Sequence, residues 1–258
     1  MLSRLCGGSL LAVVLFAVAC RLACAASDTV DPHFVIQRMA HAYDGIQDYT
    51  AVFLKRERID GTLLPLEKIA LRFQEPLKLY MAWYEPHAGR VIVYVEGENN
   101  NKILVNPGGL LRFLRLALDP TGSLATRSSH HTVREAGLRK TIELLMREYE
   151  RGRREGQMTL TFRGHAEVDG RPAYHLAFVC HADKAAGYYA QSGDLWVDTA
   201  YFLPTKLSLY DWDNQLYADY EYQRLRLNPG LGPEAFRLPP VIGAQENPSS
   251  PGAIEKVQ

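Results

Sequence analysis

From Tyr49 to Val105 apolar side chains recur at every second position in short runs, and a period of two predicts strands rather than helices over that stretch. Tyr49, Ala51 and Phe53 alternate with polar neighbours into the charged run Lys55-Arg56-Glu57-Arg58. Asp60-Gly61 turns the chain, and Ile69, Leu71 and Phe73 share one face of the returning strand. Glu75-Pro76 leads into Leu77, Leu79, Met81 and Trp83; Pro86 to Gly89 turns the chain into Arg90 to Val95, and Gly97 to Asn101 into Lys102 to Val105. Strands joined by such short turns form an antiparallel meander, because a parallel neighbour needs a crossover of a dozen residues or more.

Helical periodicity brackets this meander. Asp31 is a capping residue followed by Pro32, and Ile36, Met39, Tyr43 and Ile46 recur at helical spacing, which predicts an amphipathic helix over 32–45. Leu110 to Leu118 is apolar nearly all round, with Arg112 and Arg115 its only charges, and reads as a short helix that protein or ligand must cover, ended by Pro120. Leu138, Ile142, Leu145 and Tyr149 predict a second long helix over 133–151, closed by Arg151, Arg153 and Arg154 where cations suit the helix dipole. Strands then return. A three-residue loop Asp169-Gly170-Arg171 would pair Val168 with Pro172, Phe162 with Phe178 and Leu160 with Cys180, placing the large apolar groups on one face and burying Cys180. Seven tyrosines between Tyr188 and Tyr222 crowd the last strands, suited to a cavity rim or a sheet surface.

The first 25 residues read as an export leader: Arg4, an apolar run from Leu10 to Ala19 and a small-x-small cleavage site at Ala23-Cys24-Ala25. The apolar run is shorter than the roughly 20 residues a bilayer requires. A lipoprotein anchored through Cys20 is the alternative. Cleavage leaves Cys180 as the lone cysteine, so no intramolecular disulfide is expected. The expected organisation is a leader over 1–25, a single domain over 26–242 and a disordered tail over 243–258 rich in Pro and Ser. The 29 basic residues balance the 29 acidic ones, so no overall field draws the chain to nucleic acid.

Signatures of chemistry are sparse. There is no Gly-x-Ser-x-Gly elbow, no phosphate-binding glycine loop and, after the leader, no Cys-x-x-Cys. The three-residue loop would place His165 and His175 beside Glu167, a weak metal set against the simpler reading of a solvated face. Asp211-Trp212-Asp213-Asn214 begins like a calcium loop but lacks its downstream Gly and Glu. His130-His131 reads as part of a capping loop before the long helix. No cofactor is expected.

Two resemblances add to this reading. Arg72-Phe73-Gln74-Glu75-Pro76 followed by Leu77 to Pro86 resembles the LolA/LolB-like lipoprotein-carrier superfamily. Leu118-Asp119-Pro120, His130 to Gly137, Leu203-Pro204-Thr205-Lys206, Tyr210-Asp211-Trp212 and Glu221 to Leu231 are similar to a bacterial family of unknown function, DUF1571, over roughly residues 33–240. The carrier resemblance implies an α+β fold in which a curved antiparallel sheet forms an incomplete, unclosed β-barrel. Helices would cover its concave face and leave an apolar cavity for acyl chains. On that view Phe73, Leu79, Met81, Trp83, Val93, Phe162, Leu176 and Phe178 line the cavity, Arg72 stands where LolA proteins keep a lid-closing arginine, and Leu110 and Leu114 belong to the cover. The expected function is a non-catalytic, monomeric periplasmic or envelope protein that binds a lipid or lipoprotein acyl chain, as carrier or sensor. An envelope protein–protein interaction module is the alternative. A hydrolase is the third reading, and it would depend on one of His130, His131 or Asp211.

Overall fold

The computed structural model describes residues 29–240, so the expected leader, the alternative anchor Cys20 and the tail from 243 lie outside the described residues. The described fold is that of the compact unit beginning at Asp31. Helix α1 (Pro32–Ala40) starts where the Asp31 side chain accepts a hydrogen bond from the His33 amide at 2.9 Å and Pro32 takes the first helical position. It stops short of the expected 45 because the chain tightens into turns that end at Gly45, φ 83°. Tyr43 and Ile46 are buried all the same.

Strands β1 (Asp48–Ile59), β2 (Thr62–Leu63), β3 (Glu67–Gln74), β4 (Lys78–Glu85), β5 (Val91–Val95) and β6 (Ile103–Asn106) form the predicted meander, and β7 (Leu116–Leu118) extends it beyond the expected stretch. A single turn of helix, α2 (Ser123–Thr126), and the long helix α3 (Leu138–Arg154) separate it from β8 (Met158–Val168), β9 (Arg171–Cys180), β10 (Ser192–Asp198), β11 (Pro204–Tyr210) and β12 (Leu216–Leu227). The two meanders join where β1 pairs with β12, Phe53 opposite Tyr222 and Lys55 opposite Tyr220. The result is a 12-stranded antiparallel sheet in the order β7-β6-β5-β4-β3-β1-β12-β11-β10-β9-β8, with β2 attached to the end of β1. Its end strands β7 and β8 do not pair, so the sheet is not closed into a barrel.

Two local expectations fail for physical reasons. Residues 110–118 are not a helix: Gly109–Leu111 form one 3₁₀ turn and Leu116–Leu118 add to the sheet beside β6, with Leu116 opposite Val105 and Leu118 opposite Ile103. Gly108 and Gly109 hold positive φ, and a Cβ on Gly108 would sit 2.5 Å from the Arg90 amide nitrogen, so the chain enters this segment in a conformation helices do not accept. A nine-residue apolar run cannot by itself distinguish a helix from a buried strand. The β8–β9 hairpin turns through two residues, Asp169 and Gly170, so that Val168 pairs with Arg171 and His165 with Tyr174. A bulge at Arg163 then shifts the register, setting Phe162 opposite Leu176 and Leu160 opposite Phe178. That one extra residue brings the apolar groups into phase, which a two-residue loop alone would not do.

Helix α3 lies on the face that Tyr49, Ile69, Leu71, Phe73 and Leu79 share, all 4 % exposed or less. A 3₁₀ turn, Val133–Glu135, precedes it, capped reciprocally by Thr132 and Glu135. At Gly137, φ 101°, the chain passes so close to the sheet that a Cβ would lie 2.8 Å from the Phe73 ring. The Tyr49 hydroxyl accepts a hydrogen bond from the Leu138 amide at 3.0 Å and fixes the helix start. On the opposite face Val91, Val93 and Val95 pack against Phe236 and Leu231 of the C-terminal segment. Among the described residues no helix is long and apolar enough to cross a membrane.

Candidate functional site

Side chains from β1, β3, β4, β5, β6, β7, β11 and β12 border one cavity of about 770 Å³. Strands β7 and β11 lie far apart in sheet order, so the sheet curls around this space and the cavity occupies its concave side. Its floor is apolar: Phe53, Leu71, Leu79, Met81, Ile92 and Ile103. Its roof is drawn from residues between Leu116 and Gly137, among them Leu124, Arg127 and Val133, together with Lys140, Thr141, Leu144 and Arg147 of α3.

Of the residues expected to line it, Leu79, Met81 and Trp83 do so. Phe73 lies behind the wall, stacked on Tyr49 with centroids 5.2 Å apart. Val93 points to the other face. Phe162, Leu176 and Phe178 are on β8 and β9 and do not reach the cavity; the Phe178 ring packs over Gly193, where a Cβ would lie 2.6 Å away. Arg72 is not at a lid. Its Nη1 donates to the Ala235 carbonyl at 3.0 Å and its guanidinium lies 4.4 Å from the centre of the Tyr80 ring, so it pins the C-terminal segment to the convex face. Leu110 is 94 % exposed, and neither it nor Leu114 borders the cavity. Leu116, Leu118, Leu124 and Val133 form the apolar part of the roof instead.

The structure adds a polar wall. The parity that turns Tyr49, Ala51 and Phe53 inward also turns Lys55 and Glu57 inward, so this signal was present in the alternation of β1. Glu57 is 1 % exposed and accepts from Lys55 Nζ at 3.1 Å, from the His130 amide at 3.2 Å and from the Tyr220 hydroxyl. Lys55 Nζ also meets Glu67 at 3.5 Å and donates to the Ser128 carbonyl at 3.1 Å, while Glu67 accepts from Trp83 Nε1 at 2.9 Å. A buried charge persists only when its hydrogen-bonding positions are filled, and here they are. Burial, reinforced by Glu57, raises the Tyr220 pKa well above the ordinary phenol value, so its hydroxyl stays protonated and donates.

His131 Nε2 and the Tyr189 hydroxyl are 2.7 Å apart at the edge of this wall. Burial lowers the His131 pKa against the opposing pull of Glu57 and Glu135. His130 stacks on Tyr217 with centroids 4.1 Å apart, and Asp211 Oδ1 accepts from the Asp213 and Gln215 amides in the β11–β12 turn. His130, His131 and Asp211 therefore have separate partners. His165 opposes Tyr174, whereas His175 binds Asp194 at 2.7 Å and stacks on Trp196, so the proposed metal trio with Glu167 is not assembled. Among the described residues no three metal-binding side chains gather.

A family model described as "Protein of unknown function (DUF1571)" matches residues 46–249. No curated protein matches the chain. Among solved structures, MucB is 16 % identical with a TM-score of 0.49; the match covers 83 % of this chain, which spans 65 % of MucB's length. The lipoprotein LppX of Mycobacterium tuberculosis is 13 % identical over 79 % of this chain and 99 % of its own, TM-score 0.46. A LolA superfamily protein from Nitrosomonas europaea is 12 % identical over 81 % and 98 %, TM-score 0.35.

Proposed function

The chain belongs to the DUF1571 family, whose description assigns no activity, and we propose from the cavity that this member is a non-catalytic envelope protein holding one acyl chain of a lipid or lipoprotein between sheet and helix. The observation that carries this reading is the space itself, about 770 Å³ with an apolar floor. Small-molecule sites are usually ~300–1,000 Å³ and mostly apolar, with a few placed polar groups. Each methylene moved from water into the cavity contributes ~0.8 kcal/mol, so a chain of a dozen carbons binds well before ordering costs are counted. The export leader expected over residues 1–25 supports an envelope setting for such binding.

An interaction module is the second reading, favoured by the exposed apolar side chains Leu110, Leu111, Phe113 and Leu124 in and beside the roof. Native mass spectrometry of the protein recovered from a bacterial envelope without detergent separates the two. An acyl lipid mass removed by organic extraction supports the cavity reading, and Met81→Asp, which puts a charge on the floor, should then lower occupancy severalfold. A bare protein mass that stays bare when lipid is supplied overturns it in favour of a protein partner.

A further inference from the structure

The cations around the cavity are unevenly matched. Lys55 is held by Glu57 and Glu67, Lys140 meets Glu143 at 2.7 Å, Arg147 meets Glu148 at 3.2 Å, and Arg134 Nε donates to the Tyr94 hydroxyl at 3.2 Å. Arg90 and Arg127 also border the cavity, and among the described residues neither they nor Arg134 form an ion pair, Arg134 being held by a hydroxyl alone. Arg90 is partly buried, with its guanidinium 5.5 Å from the centre of the Trp83 ring. The Trp83 indole is itself fixed by its bond to Glu67, so the platform beneath Arg90 is rigid. Burial lowers the Arg90 pKa; Glu67 opposes that shift, and the like charge of Arg127 adds to it. A cation drawn partly out of water with no carboxylate in direct contact is a cost that an incoming anion reduces.

Resting on the acyl-chain reading, we propose that Arg90, seated on Trp83 and assisted by Arg127, anchors an anionic head, a carboxylate or a phosphate, so that the ligand is a single-chain anionic amphiphile with its tail against Met81 and Leu79. Guanidinium is suited to this role because its planar donor fork matches both anions, and the Trp83 face limits its rotation. Glu57 and Glu67 do not compete for it, since Lys55, Tyr220, the His130 amide and Trp83 already occupy them.

The test is calorimetric titration of the full chain with dodecanoate, dodecyl phosphate, dodecanol and inorganic phosphate. The two anionic amphiphiles should bind about tenfold or more tightly than dodecanol, the size expected of one charge-assisted contact. Arg90→Gln should bring that ratio close to one, while Arg90→Lys keeps part of it and shows that the loss reflects charge rather than unfolding. Equal affinity for dodecanol and the anions, or a ratio that survives Arg90→Gln, overturns the head-group assignment and leaves the cavity reading intact. Inorganic phosphate binding as tightly as dodecyl phosphate overturns the amphiphile in favour of a free-anion site. Binding by none of the four overturns the acyl-chain reading as well.

Discussion

Lys55 stands between two carboxylates in the polar wall of the cavity, and its removal is the sharpest single-residue test of that wall. Lys55→Met leaves Glu57 and Glu67 without their shared cation and should destabilise the fold by about 3–5 kcal/mol, the cost of breaking a buried pair, seen as a lower urea midpoint. Gly137 is constrained in a different way. Its positive φ and the Phe73 ring 2.8 Å from any added Cβ mean that Gly137→Ala should cost about 1–3 kcal/mol by the same measurement. His131 gives a pH dependence. Its folded pKa lies below its unfolded value near 6.5, so the unfolded chain takes up a proton first as pH falls through that value. Stability is full above that value and declines below it until the folded pKa is reached. His131→Asn should flatten this part of the profile in thermal melts between pH 8 and pH 5.

At the scale of elements, alternation revealed the strands and much of their partnering, because turn residues mark each reversal between Asp60 and Asn101. It did not settle facing where a strand is apolar on both sides. In β5 the residues Val91, Val93 and Val95 pack outward on Phe236 while Ile92 turns to the cavity, and nothing in Val-Ile-Val-Tyr-Val distinguishes the two faces. Leu79, Met81 and Trp83 were legible because they continue, across the Glu75-Pro76 turn, the inward parity of Ile69, Leu71 and Phe73, with Leu79 opposite Phe73 and Met81 opposite Leu71. Roof residues such as Leu124 and Val133 were not, since irregular segments acquire their neighbours only through tertiary assembly. The convex layer has its own prediction: Phe236→Ala should cost about 3 kcal/mol in urea melts, the loss of a buried ring, while acyl occupancy in native mass spectra is retained.

Across the whole molecule, pairing of β1 with β12 makes two local meanders into one sheet, and curling of that sheet produces the cavity. Among the described residues the same openness leaves two free edges, and a free edge is a template on which another chain can add a strand. At one end β7 presents only three residues. At the other, β8 runs for 11 residues, but the bulge at Arg163 interrupts its ladder and sets an exposed guanidinium in the break. A chain whose sheet stays unclosed must also keep other copies of itself from adding to the free edges. The short strand and the kinked, charged one serve that end, protecting the chain from fibrous self-assembly while its sheet stays unclosed.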